Sequence, residues 1–364
     1  MALQHECGII YPMKTKSFAA PASDKPLEYY EFERREPTAT DVVIDVHYCG
    51  ICHSDIHTAH GDWGEVEYPC VPGHEIVGVV TRVGSAVTQF KPGERVGVGC
   101  MVNSCGECEA CKGGFENSCF KDPTWTYSST DPVDGTDTKG GYSTVMVAPE
   151  HFVLHIPESL DMAQAAPLLC AGITTYSPLR HWKVGPGMKV GIIGLGGLGH
   201  MGVKYAVAMG AEVWVITTSA NKAEVAKSYG AQGTIVSTSP QEMENAAHRF
   251  DFLLDTIPKA HELSPYLNLL NLHGTICLVG PIEQMPGFHS IGVINGQKSI
   301  AGSGIGGIRE TKEMLEYSAK HNILPEIEII DIKDVNKAWK SMLNKQVAKR
   351  YVIDMRKSFS SIDK

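Results

Sequence analysis

The chain has 364 residues, of which 43% are hydrophobic and 20% charged, and its formal net charge is -9. This is the balance of an ordinary soluble protein, with apolar material for two domains or one large α/β unit. An acidic chain without a Lys/Arg cluster is unsuited to nucleic acid or anionic membrane surfaces; no apolar stretch reaches the length of a membrane span, and Met1–Met13 lacks the basic start and apolar run of a leader, so a cytoplasmic protein is expected.

The N-terminal part reads as mostly β. Asp41–Tyr48 (DVVIDVHY) alternates like a strand, Glu75–Val83 (EIVGVVTRV) is rich in β-branched residues, and Val145–Ile156 is a third β-like stretch. Pairs such as Pro92-Gly93 and Gly140-Gly141 punctuate it. The pattern then changes. Met162–Ala171 reads as a helix, Lys189–Ile193 (KVGII) as a short apolar strand, Gly196–Ala208 as a helix and Glu212–Thr217 (EVWVIT) as a second strand. Ala220–Tyr229 is a helix closed by Gly230, and Thr234–Val236 is a third strand. Phe250–Asp255, Thr275–Val279 and Ser299–Ala301 are further buried strands, with Glu262–Leu272 helical between two of them. Strands and helices alternating at this spacing predict a doubly wound parallel sheet. Beyond it, Glu310–His321, Glu326–Ile332, Val335–Asn344 and a last strand, Arg350–Asp354, break the alternation and are expected to rejoin the β-rich part.

Eleven cysteines stand in the sequence, and four form the run Cys105-x2-Cys108-x2-Cys111-x7-Cys119. Disulfide frameworks belong to short secreted chains, so these read as reduced thiols and ligands. Zinc favours four thiolates in a tetrahedron, and such spacing lets one loop wrap it. The lobe (Gly106, Glu107, Glu109, Lys112, Gly113, Gly114) has little apolar material to order it, which a metal would supply. With no place left for water, the expected site is structural and closed. A chance cluster, a disulfide pair and an iron–sulfur cluster are the competing readings.

Cys52, His74 and Cys170 lie far apart, and spacing alone would not pair them. Cys52 follows a strand in Gly50–His57 (GICHSDIH), His74 opens another in Gly73-His74-Glu75, and Cys170 interrupts an apolar segment, Leu168–Thr174. Taken singly, each has a bland reading as a core or locally satisfied residue.

Gly194-Leu-Gly196-Gly197-Leu198-Gly199 follows one strand and opens a helix, the setting of a dinucleotide-binding loop. There the pyrophosphate rests on the helix N-terminus. An NAD-preferring site carries an acid at the end of the second strand. That end here reads Thr217-Thr218-Ser219-Ala220-Asn221-Lys222, with hydroxyls and a lysine that suit a 2′-phosphate.

Gly73-His-Glu-x2-Gly78-x5-Gly84-x2-Val87 resembles the signature of the zinc-containing alcohol dehydrogenases of the medium-chain dehydrogenase/reductase superfamily. GICHSD at 50–55, the cysteine run at 105–119, LLCAGITTY at 168–176 and GLGGLG at 194–199 follow in that family's order. Within it, the chain is most similar to cinnamyl alcohol dehydrogenases and bacterial NADPH-dependent aldehyde reductases. The resemblance implies a GroES-like β-rich catalytic domain over residues 1–170, a Rossmann domain over 171–307 and a return to the catalytic domain over 308–364. It implies a catalytic zinc on Cys52, His74 and Cys170, with Glu75 either ligating or standing behind. Ser54 and His57 match the proton relay, and His53 and Asp55 match positions that orient the zinc shell. Cofactor contacts carry over to Thr174, the glycine loop, Thr217, Thr218, Ser219, Lys222, Thr256, Gly280 and Ser303–Ile305, the last near the nicotinamide. Trp63 and Trp125 lie in segments that border the pocket in related enzymes.

The implied activity is interconversion of primary alcohols and aldehydes with NADP(H), run as aldehyde reduction in the cell by a homodimer holding two zinc ions per chain. Departures from the plant lignin enzymes around residues 120–140 argue against a dedicated cinnamyl role. Retention of Cys52, His74 and Cys170 argues against a zinc-free quinone reductase of the same superfamily. A redox sensor using the cysteine run as a switch is the non-enzymatic rival.

Overall fold

The apolar runs between residues 189 and 302 assemble into one six-stranded sheet. Its order is Gly233–Val236, Glu212–Thr217, Lys189–Ile193, Phe250–Asp255, Leu270–Leu278, Ser299–Gly302, and every neighbouring pair is parallel. Parallel strands are covered on both faces, which is why these read as continuous Val/Ile/Leu runs rather than alternations. The order reverses beside Lys189–Ile193, and ligands bind such sheets at that crevice. The computed structural model describes residues 13–280, 283–344 and 349–362, so Met1–Pro12, read above for a leader, lies outside the described residues.

A second sheet has seven strands. Ile327–Ile330, Arg350–Asp354, Asp41–Gly50, Ile76–Val83, Arg95–Val98 and Leu154–His155 lie in that order, and Val145–Pro149 joins Asp41–Gly50. Arg350–Asp354 runs antiparallel to the end of Asp41–Gly50, with Val352 opposite Gly50. One core fills this part around Val42, Ile44, Ile76, Val96, Tyr142 and Ile353. Another joins the parallel sheet to the segment 152–184 through Leu168, Ile173, Val190, Ile192 and Leu254. The expected α/β architecture, a β-rich part beside a doubly wound sheet, is the one observed. Among the described residues no helix is long and apolar enough to cross a membrane.

Three elements differ most from the sequence reading. Met162–Ala171 is not one helix: Met162–Ala165 passes into a 3-10 turn, Ala166–Leu169, and a new helix, Ala171–His181, follows. Pro167 lacks an N–H and crowds the preceding turn, which ends the helix there. The second difference lies in Val145–Ile156, which divides at Pro149 into two strands separated by the turn Glu150–Phe152. Third, only Ser264–Leu267 of the segment Glu262–Leu272 is helical, and a strand begins at Leu270. Leu269 and Leu270 are buried while Leu272 is exposed, so the apolar side chains do not hold one helical face.

Candidate active site

Cys52 caps the helix His53–Ala59, with extended backbone at φ -115° and ψ 155°. His74 follows Gly73, whose φ of +106° suits glycine; a Cβ there would lie 2.8 Å from the Tyr142 backbone nitrogen and the Cys49 sulfur. Cys170 occupies the break that Pro167 creates, at φ -127° and ψ -72°. These separate devices bring the ligand atoms of Cys52, His74, Glu75 and Cys170 within 4.8 Å of one another, all buried. The Cys52 and Cys170 sulfurs are 3.9 Å apart.

Asp55 is the hub of the set. One carboxylate oxygen accepts from His74 Nδ1 at 2.9 Å and Gly73 N at 3.1 Å, and the other from Cys52 N at 2.9 Å and the Tyr142 hydroxyl at 3.1 Å. With Nδ1–H held there, His74 Nε2 is left as the free lone pair, the form that binds a metal.

Glu75 is fully buried, and one of its oxygens accepts from Arg350 Nη2. The other oxygen has no hydrogen-bond partner among the described residues and faces Gly50, where a Cβ would overlap it. Burial pushes the Glu75 carboxyl up to about 7, with Arg350 opposing. The Cys170 thiol and the His74 ring hold Cys52 well below the usual thiol range. Hydrogen bonding from Cys100 and Cys52, with burial, drives Cys170 well above it. Two thiols, an imidazole and a carboxylate oxygen in one buried cluster form a donor set that a zinc ion fits. A cation there would let both sulfurs ionise and would give Glu75 its missing partner.

Ser54 Oγ is 3.6 Å from the Cys52 sulfur. His57 stacks on Trp63 at 5.3 Å, and its Nδ1 is 2.8 Å from Asp62. No hydrogen bond joins Ser54 to His57 among the described residues. The His53 ring lies 6.4 Å from the His57 ring, and burial lowers its pKa while the Cys52 sulfur opposes the shift. Trp125 is exposed in the short pair Met101–Asn103 with Thr124–Trp125.

The four sulfurs of Cys105, Cys108, Cys111 and Cys119 also lie within 4.8 Å of one another. Backbone N–H groups point at them: Cys108 N to Cys105 Sγ at 3.4 Å, and Phe120 N to Cys108 Sγ at 3.5 Å. The backbone amides of Cys111 and Phe120 hold Cys108 down at about 6. Donors of this kind favour thiolates, as a tetrahedral zinc site requires.

The glycine loop is built for close approach. Gly194 has φ +90°, Gly196 faces open space, and a Cβ on Gly199 would run into the Gly194 carbonyl. The helix starts at Gly199 rather than Gly196, leaving Gly196, Gly197 and Leu198 as the turn before it. Thr256 donates its hydroxyl to Ile193 O at 2.7 Å, and Gly280 packs on the Ile257 backbone. Lys222 reaches back to Leu195 O at 3.1 Å, while Thr217 is buried and Thr218 exposed. Thr174 is buried on the helix after Cys170, and Ser303 N donates to Leu278 O at 3.1 Å.

Arg350, which sequence reasoning missed, joins the two sites. It pairs with Glu75, and its Nη1 lies 3.0 Å from where a Gly197 Cβ would stand. Its Nε is buried without a hydrogen-bond partner among the described residues. A buried guanidinium with a free donor beside a glycine loop fits an anionic cofactor. Nothing local marks this arginine; only the pairing of its strand with Asp41–Gly50 brings it there. Cys100, 3.8 Å from Leu169 O, is a further thiol beside Cys170, equally unmarked.

Residues 38–158 match the family model for the alcohol dehydrogenase GroES-like domain, and residues 197–320 that for zinc-binding dehydrogenase. The chain is 48% identical over 346 residues to the aldehyde reductase YahK of Escherichia coli K12, covering 94% of this chain and 99% of the relative. It is 48% identical over 353 residues to an 8-hydroxygeraniol dehydrogenase of Catharanthus roseus, covering 96% and 98%. Among solved structures it superposes with a TM-score of 0.90 on the Helicobacter pylori CAD complexed with NADP(H), at 43% identity over 96% of this chain and 100% of that one. A Sorghum bicolor cinnamyl alcohol dehydrogenase gives a TM-score of 0.91 at 41% identity, covering 94% and 98%. The chain belongs to the zinc-containing alcohol dehydrogenases of the medium-chain dehydrogenase/reductase superfamily, in the branch of cinnamyl alcohol dehydrogenases and aldehyde reductases.

Proposed function

We propose that the chain interconverts primary alcohols and aldehydes, aromatic and aliphatic, with NADP(H), and that it works as an aldehyde reductase. The observation that carries this reading is the convergence of Cys52, His74, Glu75 and Cys170 in one buried cluster, linked through Arg350 to the glycine loop. The division of labour follows domain limits of 1–170, 171–307 and 308–364.

Cys52, His74 and Cys170 would hold the zinc, which when bound supplies a Lewis acid for a carbonyl or alcohol oxygen. NADP(H) supplies or accepts the hydride. Asp55 fixes the His74 tautomer and the Cys52 backbone, so the ligands stand ready without reorganisation. Ser54 Oγ, beside the Cys52 sulfur, holds the proton at the substrate oxygen. His57, partly exposed and facing Asp62, is placed to exchange a proton with solvent. Glu75 stays on Arg350 while the substrate oxygen is in place and is the near carboxylate when it is not. Cys105, Cys108, Cys111 and Cys119 hold the second, structural zinc.

Thr218, Ser219 and Lys222 are proposed to select the 2′-phosphate. Because Thr217 is buried and Thr218 exposed, the test belongs at 218. A Thr218→Asp variant should shift the ratio of kcat/KM for NADPH over NADH by about 100-fold toward NADH, since a carboxylate repels the phosphate. Steady-state kinetics with both cofactors on one aldehyde measures it; an unchanged ratio removes the segment from cofactor selection.

A further inference from the structure

The four-cysteine lobe does more than close on itself. Its stretch Gly113–Asn117 grips the backbone at 304–309 through separate contacts. Asn117 Nδ2 donates to Gly304 O at 2.8 Å. Glu116, buried, accepts from Ile308 N at 3.0 Å with one oxygen and meets His151 Nε2 at 2.7 Å with the other. Arg309 Nη2 donates to Gly113 O at 2.6 Å. A Cβ on Gly307 would overlap the Gly114 carbonyl, so the two backbones touch.

Two features of the gripped segment are otherwise unexplained. The helix Ile308–His321 begins at Gly307 without a side-chain cap of its own. Glu116 supplies that cap from another lobe, with a negative charge where the helix dipole favours one. Between the anchors at Gly304 and Ile308 stands Ile305, at φ +47°. A β-branched residue in the left-handed region is strained and persists only where its surroundings over-determine it. The anchors on either side come from the cysteine lobe.

We propose that this lobe is a clamp on the cofactor site: Glu116 and Asn117 hold Ile305 in its left-handed conformation and so set the affinity for the cofactor. Both are positioning residues. The inference rests on the reading that Ser303–Ile305 borders the cofactor.

The test uses the full zinc-loaded chain and reads NADPH dissociation constants by fluorescence, amide hydrogen exchange over residues 303–308, and zinc content. Glu116→Ala and Asn117→Ala should each weaken NADPH binding by about tenfold, the scale of one lost hydrogen bond, and speed exchange at 303–308. Asn117→Ala carries the test if Glu116→Ala costs the lobe its zinc. In an Ile305→Asn background, where asparagine tolerates the left-handed region, the Glu116→Ala effect should shrink to about twofold or less. Unchanged exchange and affinity overturn the clamp. Faster exchange with unchanged affinity overturns the cofactor reading of Ser303–Ile305. An undiminished effect in the Ile305→Asn background overturns the role of backbone strain.

Discussion

Replacing Asp55 by asparagine should empty the dispersed metal set and leave the four-cysteine site loaded. Asp55 accepts from His74, Gly73, Cys52 and Tyr142 with its two oxygens. An amide turns one of those oxygens into a donor facing donors, in a place closed to bulk water. The His74 tautomer is then no longer fixed. Loss of a carboxylate behind a ligating histidine costs about 10–100-fold in metal affinity or activity. Here the same group also holds the Cys52 backbone, so the upper end is expected. Metal analysis after dialysis should read one zinc per chain lost, with kcat/KM down by about 100-fold. A variant that keeps its full metal and activity would show that Asp55 is only packing.

Arg350→Met should destabilise the chain in a way that depends on the metal. The arginine is buried against fully buried Glu75. Removing one partner of such a pair leaves an uncompensated carboxylate and costs about 3–5 kcal/mol. A cation on Cys52, His74 and Cys170 gives Glu75 a new partner, so the loss relative to wild type should be smaller in zinc-loaded protein than in chelator-treated protein. Thermal unfolding of both proteins in both states reads the difference. Because the guanidinium also lies against Gly197, NADPH affinity should fall as well. Equal destabilisation with and without zinc would contradict a Glu75 that can turn to the metal.

Much of this was legible because the signals are local. The glycine loop, the cysteine run and the apolar strands Lys189–Ile193, Glu212–Thr217 and Phe250–Asp255 each declare themselves within a few residues. The dispersed set was reached only through family motifs, because its ligands come from a helix cap, a strand entrance and a helix break. Arg350 was invisible: its partner lies 275 positions away, and a lone arginine opening a strand carries no signal until strand pairing is known. The Glu116 cap of a helix in another part of the chain was hidden for the same reason. The Glu262–Leu272 error has a different origin: helix and strand cannot be told apart in a short apolar run by periodicity alone.

The central claim is that NADPH-dependent aldehyde reduction occurs at Cys52, His74 and Cys170. The most direct measurement is NADPH oxidation over a panel of aromatic and aliphatic aldehydes, with zinc counted in the same samples of wild type and Cys170→Ser. Wild type should turn over with two zinc ions per chain, and the variant should hold one zinc and show no turnover. No turnover on any aldehyde by wild type holding both zinc ions, or full turnover by Cys170→Ser, would contradict it.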